Sequence, residues 1–236
     1  MMQPLRNAPH FENNDLEQLQ VDAYLLRYPV FYDLPTLDGL LARAVVQHAT
    51  HGQGLPETPE PYDIPLPLEK LWTCPVTQAP LWNATQFFEM DPQGTQTAHW
   101  HKRGYSHPLL KPGRDGKPHN PNFQNGVHKE YRISMQVYGC RHYRAYCVGN
   151  FTEIARLLKS ITALGKKTSQ GYGTLKKWQL QCVDNFKYTH NNRLIKSFPC
   201  AYPQKPELQP GIVFSIYETA WTPPYWLPTL YQRCIT

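Results

Sequence analysis

The sequence predicts an α+β fold in the order strand, helix, strand, strand, helix, strand. Three observations predict it. Apolar and polar residues alternate at 16–28 and again at 174–183. Two stretches carry apolar residues at helical spacing behind good capping residues, and further strand-like runs lie between them.

Residues 16–28, LEQLQVDAYLLRY, put Val21, Ala23 and Leu25 on one face of the first strand. A turn follows at Pro29–Pro35. Thr36 caps a helix running to about His48, with Leu37, Leu40, Leu41, Ala44 and Val45 as its apolar stripe. Residues 52–67 are rich in Gly and Pro and read as loop, and 82–90, WNATQFFEM, as a strand. Residues 104–126 hold no period but several turn signals, among them Pro112-Gly113 and Asp115-Gly116. They read as a basic excursion from the sheet. Residues 129–137 and 141–148 read as two strands joined in a hairpin at Tyr138-Gly139. Asn150 and Glu153 have capping-box spacing and open the second helix, with Phe151, Ile154, Ala155, Leu158 and Ile161 as its stripe and an end near Gly165. The last core strand is TLKKWQLQCV, 174–183.

This element order is the split βαβ pattern of ferredoxin-like (RRM-like) domains, βαββαβ. Residues 1–196 are expected to form that domain, with a basic hairpin or thumb inserted at about 91–128. Residues 197–236 form an aromatic, Pro-rich C-terminal extension that packs on the body or on a partner subunit. Residues 211–218 can add a strand there.

The formal charge of +6 over 236 residues is unevenly distributed. Residues 1–90 hold 4 Lys/Arg and 11 Asp/Glu; residues 91–196 hold 18 and 5. A basic middle of that size points to a polyanion. No apolar run reaches the roughly 20 residues of a membrane helix, and the polar N-terminus lacks a signal-peptide core, so a cytoplasmic protein without a membrane is expected. The six cysteines form no CxxC pair and read as reduced, packed thiols. His99-x-His101 and Cys140-x-His142, with Cys147 nearby, hold metal-ligand types, but not the tight paired spacing of structural zinc sites. No metal or cofactor is expected.

The most informative stretch is ALGKKTSQGYGTLKKW, 163–178. Gly165, Gly171 and Gly173 admit positive φ and close approach of a backbone to a ligand. Lys166 and Lys167 place two cations in the loop. Thr168, Ser169 and Gln170 add short polar groups, Tyr172 a stacking face, and Lys176 and Lys177 further cations on the strand. These groups suit a sugar-phosphate chain. The spacing is neither that of a P-loop nor that of a Rossmann fingerprint. In the excursion, His99, His101, Lys102, Arg103 and Arg114 are further candidate RNA contacts, with Trp100 and Tyr105 as stacking surfaces.

The loop resembles that of the RAMP superfamily of CRISPR proteins: G-h-G, five residues with a Lys or Arg, then G-h-G. Here it reads Ala163-Leu164-Gly165, KKTSQ, Gly171-Tyr172-Gly173, with Ala163 replacing the first glycine. YPVFYDLPTLDGLLARAV and FTEIARLLKSITALGKKTSQGYGTLKKW are most similar to the small guide-end (Cas five type) subunit of type IV effector complexes. The resemblance covers about 25–185. It implies a non-catalytic subunit that caps the 5′ handle of the crRNA. Its implied partners are the backbone RAMP subunits, the large subunit and target DNA near the protospacer-adjacent motif. A related RAMP branch cuts precursor RNA with a histidine base, for which His48 or His51 would be the candidates. Neither has a Tyr or Lys partner assignable from sequence.

Overall fold

The computed structural model describes residues 2–12, 14–31, 33–55, 60–102, 131–204 and 211–236. Within them the chain is a mixed α/β structure, mostly strands, with two α-helices. The main elements are β1 Leu16–Leu25, α1 Leu37–Ala49, β2 Lys70–Thr73, β3 Pro80–Trp82, β4 Phe88–Glu89, β5 Thr95–Lys102 and β6 Tyr131–Tyr138. They continue with β7 His142–Asn150, α2 Phe151–Leu158, β8 Leu175–Cys182, β9 Phe198–Pro199, β10 Ile216–Ala220 and β11 Tyr231–Ile235.

The largest sheet has the order β8-β1-β7-β4, every neighbour antiparallel. Alternation does its work here. Leu19, Val21, Ala23 and Leu25 of β1 and Tyr143, Ala145 and Cys147 of β7 point to one face and are buried. Both helices cover that face: Leu37, Leu40, Leu41, Ala44 and Val45 of α1 and Ile154, Leu157 and Leu158 of α2 join the same core. The Thr36 side chain caps α1 by accepting from the Gly39 N–H at 3.2 Å, and Asn150 caps α2 by accepting from the Glu153 N–H at 3.0 Å.

Several expectations are corrected. α2 ends at Leu158, not near Gly165, although Ile161 beyond it still packs in the core. Its buried residues are Ile154, Leu157 and Leu158; Phe151, at the first helical position, is exposed. The strand expected at 82–90 is broken. Ala84 bridges Cys147 and Phe88 pairs with Arg144, so four steps on one chain match three on the other, which is a bulge. Thr85 fills the gap: its Oγ1 accepts from the Tyr146 N–H at 2.9 Å. The hairpin expected at Tyr138-Gly139 does not form. β6 pairs instead with β5, a strand the sequence reading left inside the basic excursion, in a separate two-stranded ribbon. The strand expected at 211–218 lies at 216–220.

β9, β11 and β10 form a three-stranded antiparallel sheet. It has its own apolar cluster, in which Phe198, Tyr202, Trp221, Leu227, Leu230 and Cys234 pack with Cys74, Ala79 and Leu81. No helix among the described residues is long and apolar enough to cross a membrane.

Candidate nucleic-acid interface

The glycine loop closes against the end of β1. Leu164 N–H donates to Gly173 O at 2.9 Å, Gly173 N–H to Tyr28 O at 3.1 Å and Lys166 N–H to Val30 O at 2.8 Å. Val30 bridges Lys166 on one side and Val137 of β6 on the other. Residues 26–30 therefore knit loop and ribbon together. Ala98 and Trp100 of β5, Met135 and Val137 of β6, Tyr28, Val30 and Tyr172 form one small apolar cluster there.

Two glycines in the loop answer to different demands. Gly173 has φ +64°, and a β-carbon on it would run into the Leu164 carbonyl. Its need is internal to the fold. Gly171 has φ +86° and faces only the mobile end of Arg27, 3.1 Å from where a β-carbon would lie. Just before Gly171, Thr168–Gln170 make a single 3-10 turn, and Lys167 before it has φ +58°.

The side chains of this end form a continuous cationic and aromatic strip. Lys167 Nζ lies 3.5 Å from the Trp100 ring centroid. Arg27 touches the loop at Gly171. The Arg141 guanidinium covers Tyr28 at 4.3 Å, and Lys177 Nζ covers Tyr24 at 4.7 Å. Tyr24 stacks on His142 with centroids 4.3 Å apart. Ion pairs among the described residues join only His142 and Arg144 to Asp22, and Arg156 to Glu153. Arg27, Arg141, Lys167, Lys176 and Lys177 thus stand without a described carboxylate. Tyr28, Arg141 and His142 also line a cleft of about 230 Å³ at the foot of the ribbon.

On the same open sheet face, one step inward, the charges are neutralised. Asp22 is 1% exposed. It accepts from Arg144 Nε at 2.8 Å and Nη2 at 3.3 Å and from Gln20 Nε2 at 2.6 Å, with His142 Nε2 2.8 Å away. Burial alone would raise its pKa, but the hydrogen bonds from Arg144, Gln20 and His142 outweigh this and hold the carboxyl below its ordinary value.

A family model for Csf3, a CRISPR type IV associated protein, matches residues 19–236. The chain belongs to that family. No curated protein matches it. The family match spans β1 to the end of the C-terminal sheet, so the tail and the strip fall within one family unit.

The predicted site residues are placed as follows. Lys166, Ser169 and Gln170 are exposed on the loop, and Lys167 and Thr168 are half-buried. Lys176 and Lys177 are both exposed because the pairing with β1 shifts between Leu175 and Lys177. Tyr172 packs against the ribbon base. His99 and His101 are exposed neighbours on β5, ring centroids 6.3 Å apart, on the side away from Trp100. Lys102 is the last residue of β5. Arg103, Arg114 and Tyr105 lie outside the described residues. His48 sits exposed in the last turn of α1, and His51 follows it with φ +50°. No described side chain hydrogen-bonds to either. Cys140 donates its thiol to the His142 carbonyl at 3.0 Å while the His142 ring faces Asp22, so this pair does not converge. Among the described residues no three His, Cys, Asp or Glu side chains cluster as metal ligands.

Sequence reasoning missed Tyr24, Arg27, Tyr28 and Arg141, and weighed His142 only as a metal ligand. The available signal was an Arg or Tyr at the last residues of one strand and the first of another, where two antiparallel neighbours end together.

Proposed function

We propose that this protein is a non-catalytic, RNA-binding subunit of a type IV CRISPR ribonucleoprotein that holds the 5′ handle of the crRNA on the strip around the glycine loop. The observation that carries the reading is the strip itself: five cations without an ion pair to a described carboxylate, three of them over Trp100, Tyr28 and Tyr24. Lysines and arginines over aromatic faces supply phosphate neutralisation and base stacking together. The four-stranded antiparallel sheet, with its last strand beside the first and both helices on one face, supports a ferredoxin-like core of the RAMP kind. In this reading the ribbon β5–β6 is the base of the inserted thumb. Backbone RAMP subunits and the large subunit are the expected partners, with target DNA near the protospacer-adjacent motif.

The test is binding of labelled repeat RNA by the pure protein, paired with its melting temperature. Lys166→Ala with Lys167→Ala is expected to lose RNA affinity and assembly into the guide complex while the fold loses no more than about 1 kcal/mol, from the Lys167–Trp100 contact. Unchanged affinity would reduce the loop to a chain reversal. Metal-independent cleavage of that RNA, lost in His48→Ala or His51→Ala, would replace this reading with the endoribonuclease.

A further inference from the structure

The junction between the four-stranded sheet and the C-terminal sheet holds polar groups that the strip does not use. Lys196 is 6% exposed, and its ammonium donates to the Ala84 carbonyl at 2.8 Å. An ammonium has three N–H groups to place. Trp221 is 1% exposed and its indole N–H has no partner, the one such buried side-chain atom among the described residues. Buried donors left unmade are costly, so both groups call for an acceptor.

Three cavities that share Gln86 and Ser197 lie here; Lys196 lines two of them and Trp221 one. Lys196, Trp221 and Tyr225 share the wall of a small one of about 20 Å³. Beside it a cleft of about 300 Å³ carries Arg193 and Lys196, with Ser215 and Thr236 exchanging backbone hydrogen bonds on its wall. A larger cleft of about 660 Å³ carries Tyr138, Tyr217, Tyr225 and Tyr231, with Asp33 as its one carboxylate. Gln86 and Ser197 line all three, and Tyr217 lines both larger ones. Tyr225 is held in place by donating to both oxygens of buried Asp38, at 2.8 and 2.9 Å. The crevice is therefore cationic at one end and phenolic at the other. Burial pushes the Lys196 amine down to about 8, which an anion beside it would reverse.

We infer that this crevice binds one nucleotide unit, its phosphate against Lys196 and Arg193 and its base among the tyrosines. A carboxylate from a protein partner would answer Lys196 but leave the phenolic cleft without a flat ring to stack. The inference does not rest on the guide-RNA reading. A free nucleotide and a nucleotide within a strand offer the same chemistry.

The test titrates the full chain, labelled with ¹⁵N at tryptophan, and follows the indole resonances, with Trp221→Phe identifying that of Trp221. Adenosine 5′-monophosphate is expected to move the Trp221 resonance saturably, and adenosine or inorganic phosphate alone to bind at least about tenfold more weakly. Lys196→Met should weaken the nucleotide about tenfold. Tyr217→Ala, which removes an exposed ring and leaves the core intact, should weaken it while sparing phosphate. A short single-stranded RNA binding more tightly than the mononucleotide would assign the unit to a strand; equal or weaker binding would assign it to a free nucleotide. No shift at about 10 mM nucleotide, or affinity indifferent to Tyr217→Ala, overturns the proposal. So does an acidic peptide that moves the Trp221 resonance as well as the nucleotide does, because the crevice would then be a protein contact. Loss of this site would leave RNA binding at Arg27 and Arg141 untouched, so the two readings fail separately.

Discussion

Two groups of basic side chains lie close together at one end of the main sheet and have opposite fates. Arg144 and His142 converge on Asp22, which the surrounding side chains bury almost completely. Arg27 just past the end of β1, Arg141 just before β7 and Lys177 on the neighbouring edge strand cover tyrosine faces or glycine backbone and form no ion pair with a described carboxylate. The difference is one of function within a single surface. A charge already neutralised inside the protein contributes to the fold; a charge resting on an aromatic ring keeps its attraction for an outside anion.

The largest expected effect breaks the inner group. Asp22→Asn leaves Arg144 without its carboxylate and should cost about 3 kcal/mol in urea unfolding, with RNA affinity little changed. An equal loss of affinity and stability would mean the two groups are not separate. Next, Arg27→Ala with Arg141→Ala should raise the Kd for single-stranded repeat RNA about thirtyfold with the melting temperature within a degree or two. The same variant should make the log–log salt dependence shallower by about 1.4 units, since each of the two phosphates no longer neutralised on a single strand contributes about 0.7. Lys167→Ala should show a mixed result. Loss of its contact with Trp100 should destabilise the protein by about 0.5–1 kcal/mol, alongside a modest loss of RNA affinity.

The smallest effect is read in acid. The Asp22 carboxyl is held below its ordinary value in the folded chain, so its stabilisation is fully present above the unfolded value, near pH 4. It is lost as the pH falls through the lower, folded value. Wild type should therefore lose stability faster than Asp22→Asn over that acid range, and parallel curves would deny the carboxylate its structural role.

These contrasts mark what the sequence could and could not convey. Alternation at Val21, Ala23 and Leu25 and the caps at Thr36 and Asn150 are local signals, and they place β1, α1 and the start of α2 within a few residues. The pairing of β6 with β5 is not local. Nothing in 129–148 distinguishes a hairpin at Tyr138-Gly139 from a strand that leaves to meet a partner some 30 residues back. The glycine loop was visible as composition, but its partners were not. Arg27 and Arg141 lie 114 positions apart in the chain and come together only because β1 and β7 are antiparallel neighbours. Lys196 and Trp221 carried no signal at all, since a lone lysine and a tail tryptophan read as surface and as core.

The double bridge at Val30 has a practical side. Because its backbone is stitched to Lys166 on one flank and to Val137 on the other, the ribbon and the glycine loop form a single mechanical unit, like two leaves of a book sharing a spine. Trimming the ribbon back past Trp100 or Met135 would strip the spine of its cover, leaving Val30 and Tyr172 wet. A shortened variant that removes only residues between Lys102 and Tyr131 keeps the spine bound, and it isolates whatever those residues add to binding.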